Sequence, residues 1–305
     1  MATTPPVSKQ HALTVEFEPR MCNQHVVDLT FGCSFGCLYC PFSDLNARRH
    51  EVARPTAADI SVAATGVAPQ AVYLSAASDA FTPQAAANTH ALLAAWLPQG
   101  TKIGIVTKGI IPPRTVDLLA EFRAQIEGVA VGVTSLDDHR NRILEPGCPP
   151  ADERLASIDR LAARGLTVAL RIDPLFPDLD DAPPVLATLV GEAASRGAIG
   201  VVATYVFAWG RYLRRLQREP LLANSCRLLT ERTPMEGGVA WSVPLARKLQ
   251  TYTYVAEVAR ARRLLFGTCG CKDVRMKSQP AFWSRCRLPA FVQVSDSATP
   301  SLPPG

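Results

Sequence analysis

Three cysteines within one short stretch, Phe31-Gly32-Cys33-Ser34-Phe35-Gly36-Cys37-Leu38-Tyr39-Cys40-Pro41, constrain this chain more than any other feature. Their spacing is C-x3-C-x2-C, and they follow an apolar run, Val26-Val27-Asp28-Leu29-Thr30, that reads as a strand. Three thiolates this close can occupy three corners of one cuboidal iron–sulfur cluster, for which cysteine is the usual ligand. With no fourth cysteine nearby, one iron keeps an open position for a small molecule. Gly32 and Gly36 allow a tight loop with inward-turned N–H groups. Tyr39 sets an aromatic ring against one side. Zinc is the competing reading, but zinc sites usually pair two C-x2-C halves around a tetrahedron, and this loop does not.

Downstream, strand and helix signals alternate. Ala71–Ser75, Lys102–Thr107, Val129–Ser135, Leu166–Ile172 and Gly200–Phe207 read as further strands. Helices are predicted over 83–97, 113–125, 151–164 and 182–196, the last two closed by Gly165 and Gly197. Six strands, each followed by a helical or mixed segment, describe a parallel α/β sheet, either doubly wound or barrel-like. From Trp209 the rhythm changes: Arg211, Arg214, Arg215 and Arg218 recur at helical spacing, and 243–265 reads as one long helix. Residues 1–16 read as a flexible arm and 289–305, rich in Pro and Ser, as a flexible tail.

The cysteine loop resembles the signature of the radical S-adenosylmethionine (SAM) superfamily. Residues 26–181 are similar to its spore photoproduct lyase-like branch in the segment Ser75-Ala76-Ala77-Ser78-Asp79, the strand end Val106-Thr107-Lys108, Thr134, the turn Glu145-Pro146-Gly147, and Asp173-Pro174-Leu175-Phe176-Pro177. The resemblance implies a partial (β/α)6 TIM-type barrel over 17–208, with a cysteine-containing extension at 209–288. Chemistry is then expected at the C-terminal strand ends. It implies a [4Fe–4S] cluster on Cys33, Cys37 and Cys40, whose open iron chelates SAM and whose electron cleaves it to a 5′-deoxyadenosyl radical. Tyr39, Ser78, Lys108 and Thr134 are the implied cofactor contacts, and a reductase such as flavodoxin or ferredoxin the implied partner. Physically, a strand-end lysine can neutralise the cofactor's carboxylate and hydroxyls can bond its ribose. Lys108 also fits a solvated helix-start lysine, and the two hydroxyls fit turn caps.

Asp79, Arg171 and Asp173 are candidate substrate contacts, although an N-cap and a structural Arg–Asp pair explain them equally well. Spore photoproduct enzymes carry a hydrogen-donating cysteine in the segment aligned with Ser75–Asp79; this chain has Ala76 there, which has no S–H to give. Thymine-dimer repair by that route is therefore not expected.

A second group, Cys269-Gly270-Cys271 with Cys286, is expected to hold an auxiliary [4Fe–4S] cluster, with a zinc knot or plain buried thiols as alternatives. Such a cluster either donates sulfur to a substrate radical, forming a C–S bond in a biosynthetic step, or relays electrons for an oxidation or rearrangement. Cys148 reads as a loop thiol, Cys22 and Cys226 as core residues, and the five histidines show no ligand spacing.

Composition narrows the function classes. Hydrophobic residues at 48% against 19% charged indicate a packed fold. A net charge of +5 weakly favours an anionic small-molecule substrate and, with few aromatic residues for stacking, disfavours nucleic acid. Nucleic-acid modification or repair, with the arginine run at 211–218 as a phosphate track, is the alternative. Nine cysteines without a signal-peptide pattern, and no run long enough to span a bilayer, predict a reducing, cytoplasmic setting.

Overall fold

The computed structural model describes residues 16–18, 24–30, 32–42, 68–74 and 77–279. Of the expected arm over 1–16, Glu16 opens a short strand and residues 1–15 lie outside the described residues, as do the tail, Cys22, Ser75, Ala76 and Cys286.

Short strand β1 (Glu16–Glu18) runs antiparallel to β2 (Gln24–Val27). From β2 onward the sheet is parallel: β3 (Ala71–Leu74), β4 (Lys102–Thr107), β5 (Ile126–Gly132), β6 (Val168–Leu175), β7 (Gly200–Tyr205) and, last, β10 (Leu265–Gly267) follow in that spatial order. Helices α1 (Ala86–Trp96), α2 (Pro113–Glu121), α3 (Asp138–Leu144), α4 (Ala151–Ala162) and α5 (Pro183–Ser195) fill the connections. After β7 come α6 (Gly210–Leu216), α7 (Ala223–Arg227), a hairpin of β8 (Glu231–Met235) and β9 (Gly238–Ser242), and α8 (Leu245–Ala261). Among the described residues the two outer strands of the large sheet do not pair with each other, so the barrel is open there.

Alternation along the strands divides the core in two. Val129, Val131, Val168, Leu170, Ile172 and Val201 belong to the large cluster that includes the helix residues Leu92, Leu119, Ile158 and Leu189. Between them in sequence, Ala130, Ala169 and Val202 form a separate small cluster. Bulk on one face and small residues on the other suit a curved parallel sheet buried on both sides, and they explain why the strands read as continuous apolar runs.

Two differences from the sequence reading follow from local chemistry. The parallel strands number seven among the described residues, not six. The seventh, β10, is three residues long, too short for any periodicity to mark, and its partner β7 supplies the register: Leu265 opposite Gly200, Phe266 opposite Val201. The long C-terminal helix begins only after Pro244, whose fixed φ suits the position before the first helical turn, and it ends at Ala261. Gly165 and Gly197 close α4 and α5 at positive φ, as the sequence predicts.

Candidate active site

The cysteine loop leaves β2 at the C-terminal edge of the sheet. Gly32 and Gly36 take positive φ, and Gly36 N–H donates to Cys33 O at 3.3 Å while Cys40 N–H donates to Cys37 O at 3.0 Å. These contacts curl 33–40 into two successive turns. Phe35, 3% exposed, anchors the loop in the interior.

The turn at 145–148 buttresses the loop from behind. Leu38 N–H donates to Leu144 O and Gly147 N–H to Phe35 O, both at 2.9 Å. A Cβ on Gly147 would lie 2.5 Å from Ser34 O, so no side chain fits there. The same turn brings Cys148 Sγ to 3.7 Å from Cys37 Sγ.

Glu145 centres a buried network beneath the loop. It accepts from Tyr39 Oη and, at 2.6 Å, from Thr134 Oγ1, and it pairs with Arg154 Nη1 at 2.7 Å. Arg140 donates to Thr134 Oγ1 at 2.7 Å and forks onto Asp180 at 3.0 and 2.6 Å. Burial alone would raise the Glu145 pKa, but Lys108, Arg154, Arg140 and the Thr134 hydroxyl outweigh it and hold the carboxyl at about 2.

Lys108, at the end of β4, stands between this network and the mouth of the barrel. Its Nζ is 5.5 Å from the Tyr39 ring centre and 3.4 Å from Asp173 O. Burial disfavours its charge, yet Glu145 first and Asp173 after it keep the ammonium protonated. Asp173 itself accepts from Arg171 Nη2 at 2.5 Å and from Lys272 Nζ at 2.6 and 2.7 Å. It reaches them because pairing between β6 and β7 shifts register between Ile172 and Leu175, where Pro174 has no N–H to donate. Lys272, Arg171 and Lys108 hold its carboxyl well below the usual range despite burial.

The remaining predicted residues have partners inside the protein. Asp79 accepts from Thr107 Oγ1 at 2.6 Å, Lys108 N at 2.8 Å and Phe81 N at 2.9 Å, tying the ends of β3 and β4 together. The Ser78 hydroxyl donates to Asp28 at 2.9 Å, and Thr134 serves Glu145 and Arg140 as above. Tyr39 is 5% exposed and turns its hydroxyl into the network.

The second cysteine turn arrives at the same mouth. Beyond β10, Thr268 Oγ1 donates to Ala203 O at 2.8 Å, Cys269 is buried and Cys271 half-buried. Lys272, next in sequence, lies 5.0 Å over the Phe207 ring and grips Asp173. A chain of contacts, Tyr39–Lys108–Asp173–Lys272, thus joins the two cysteine turns.

Three features escaped the sequence: the Glu145 network's two arginines, the approach of Cys148 to Cys37, and the docking of α6 on the loop, where Tyr212 Oη and Arg215 Nη2 each donate at 2.5 Å to the carbonyls of Tyr39 and Cys40. One signal was available. Arg154 shares the apolar stripe of α4 with Ala151, Leu155, Ile158 and Leu161, a place for a cation only if a buried carboxylate meets it.

The donor set fits a cuboidal cluster. Cys33, Cys37 and Cys40 form no disulfides, and their thiols lie near enough to influence one another electrostatically. Burial pushes Cys33 up to about 12, so binding a metal there means displacing a proton. Among the described residues no three His, Cys, Asp or Glu side chains converge on one point, as a single zinc ion would require; a cluster spreads its thiolates over separate corners.

An open parallel α/β barrel with a three-cysteine loop at the end of its first parallel strand is the architecture of a radical-generating iron–sulfur enzyme. Residues 27–187, more than half of the chain, match the radical SAM superfamily, and the chain belongs to it. Membership implies a [4Fe–4S] cluster and SAM. Uncharacterised proteins of Mycobacterium bovis and Mycobacterium tuberculosis are 30% identical over 198 residues, 56% of this chain and 55% of each relative. The match therefore spans about half the length of these relatives. Among solved structures, spore photoproduct lyase complexed with dinucleoside spore photoproduct shares the fold at a TM-score of 0.63 with 14% identity, over 84% of this chain and 79% of that one. Streptococcus suis SuiB bound to S-adenosylmethionine does so at 0.54 with 17% identity, over 81% of this chain and 50% of that one. No helix among the described residues is long and apolar enough to cross a membrane.

Proposed function

We propose that this enzyme abstracts hydrogen from a small, nucleoside-like or anionic molecule at the barrel mouth, beside an auxiliary iron–sulfur cluster held by Cys269, Cys271 and Cys286. When bound, the first cluster supplies the electron that splits SAM into methionine and a 5′-deoxyadenosyl radical. Cys33, Cys37 and Cys40 hold that cluster. Lys108 neutralises the carboxylate of SAM, while Ser78 and Thr134 keep the strand ends in shape through Asp28 and Glu145. Lys108, Arg171 and Lys272 gather around Asp173 at the mouth, a positive setting that suits a substrate anion.

The observation that carries the reading is the Lys272–Asp173 pair, whose main chain also meets Lys108, because it draws the Cys269–Cys271 turn to the same opening as the first loop. A thiolate-held cluster there would face the substrate, placed to deliver sulfur or to take an electron. The test is iron and sulfide content with Mössbauer spectra of wild type and a Cys269→Ala/Cys271→Ala/Cys286→Ala variant. We expect about eight irons against about four, the variant still cleaving SAM but making no final product. Four in the wild type removes the auxiliary cluster. In a single turnover with 34S-labelled clusters, labelled product assigns sulfur insertion, and product without new sulfur assigns electron relay.

A further inference from the structure

Helix α6 has two sides with different occupations. Its inner side is fastened to the cysteine loop by Tyr212, bonded to Tyr39 O, and by Arg215, bonded to Cys40 O. Its outer side carries Arg211 and Arg214, and the turn that closes it carries Arg218; all three are exposed. They stand three and seven positions apart, on one stripe, and none pairs with a carboxylate among the described residues. Like charges at this spacing repel one another, so the stripe costs the free protein stability. Just before the helix Trp209 is 44% exposed, stacked on Phe207 at 5.7 Å and edge-on to Tyr212 at 5.6 Å. A rigid exposed tryptophan beside unpaired arginines is the composition of an interface core awaiting a partner.

We propose that this stripe, with Trp209 at its head, is the docking surface for an acidic one-electron carrier protein of the flavodoxin or ferredoxin type. The inference rests on the reading that Cys33, Cys37 and Cys40 hold the reducible cluster. Reductive cleavage of SAM consumes one electron, so the carrier must be oxidised by one electron as the cluster accepts it. SAM and substrate take the mouth in that reading, which leaves the donor to approach the loop from elsewhere. Among the described residues one helix, α6, about 10 Å thick, separates an acidic partner from the carbonyls of Tyr39 and Cys40. Arginine against carboxylate then provides steering and orientation more than tight binding, as suits a carrier that must leave after each transfer.

The experiment measures the dissociation constant of oxidised flavodoxin from the reconstituted holoenzyme, between about 50 and 300 mM salt. Wild type should weaken steeply with salt. Arg211→Glu/Arg214→Glu/Arg218→Glu should bind about tenfold or more weakly at low salt, with little salt dependence left. Dithionite, which needs no docking, should reduce the cluster of that variant as it does wild type. The Gln triple variant serves if the Glu variant fails to fold, with a smaller loss of the same sign. Unchanged flavodoxin affinity in a folded variant, or salt-independent binding by wild type, overturns the proposal. So does a single-stranded DNA oligonucleotide that binds wild type and not the variant while flavodoxin affinity stays constant. A holoprotein with no dithionite-reducible cluster removes the underlying reading instead, and the docking surface with it.

Discussion

The loop at 32–42 rests on charges that water does not reach, whereas the turn at 269–272 has one buried pair beside it, Lys248 with Asp273 at 2.8 Å, and further pairs at a half-exposed rim. Under the first, the Arg140, Arg154, Asp180 and Glu145 side chains are all about fully buried. At the second, Lys272 is 24% exposed against a buried Asp173, and the neighbouring Arg275 and Lys277 are more exposed still. Buried pairs cost desolvation and stabilise only when complete, while rim pairs contribute little and respond to salt. The first site is thus preformed and unforgiving; the second is tied to α8 through Lys248 and Asp273, and its weaker contacts lie at the rim.

The largest contrast should come from Glu145→Gln, which leaves Arg154 buried opposite a neutral amide. We expect a loss of about 3–5 kcal/mol in denaturant unfolding, with loss of cluster incorporation. An effect below about 1 kcal/mol would mean that water reaches the network.

Acid should separate the regions next. Glu145 is depressed from its ordinary 4.5 to about 2, so its contribution is complete above pH 4.5 and disappears as pH falls toward 2. Over that window the stability should drop by about 3 kcal/mol from this group alone. The fall should be absent in Glu145→Gln, and an identical acid profile for the two proteins would contradict the assignment.

How much of this was readable follows the same division. Cys33, Cys37 and Cys40 announce themselves by spacing, and the parallel strands announce themselves by continuous apolar runs because both faces are buried. The hairpin of β8 and β9 shows only weak alternation, and β10 is shorter than any sequence period, so its membership in the sheet comes from β7. The roles of Tyr39, Thr134 and Ser78 are set by partners 11 to 106 residues away, Glu145 and Asp28. No spacing in the sequence reports which hydroxyls such partners engage. Glu145-Pro146-Gly147 was visible as a motif, but its load, two buried arginines and a glycine against Ser34 O, appears only when the chain folds.

At the rim the effects should be smaller. Lys272→Ala removes one of two cations from Asp173, and Arg171 still balances the carboxylate. We expect about 1–2 kcal/mol and local loosening, read as faster amide exchange around 268–273 with the first loop still protected. Loss of protection at 33–40 as well would make the two turns one cooperative unit. Lys277→Ala, which breaks an exposed pair with Glu236, should change the free energy of unfolding by less than about 1 kcal/mol. A larger change would mark that pair as part of the second site.

The most direct test of the central claim is 5′-deoxyadenosine formed from SAM under dithionite by anaerobically reconstituted protein, with Cys33→Ala/Cys37→Ala/Cys40→Ala and Cys269→Ala/Cys271→Ala in parallel. The wild type and the C-terminal variant should both form it, and the loop variant none. Formation by the loop variant, or its absence from the wild type, would contradict the assignment of radical initiation to the loop at 32–42.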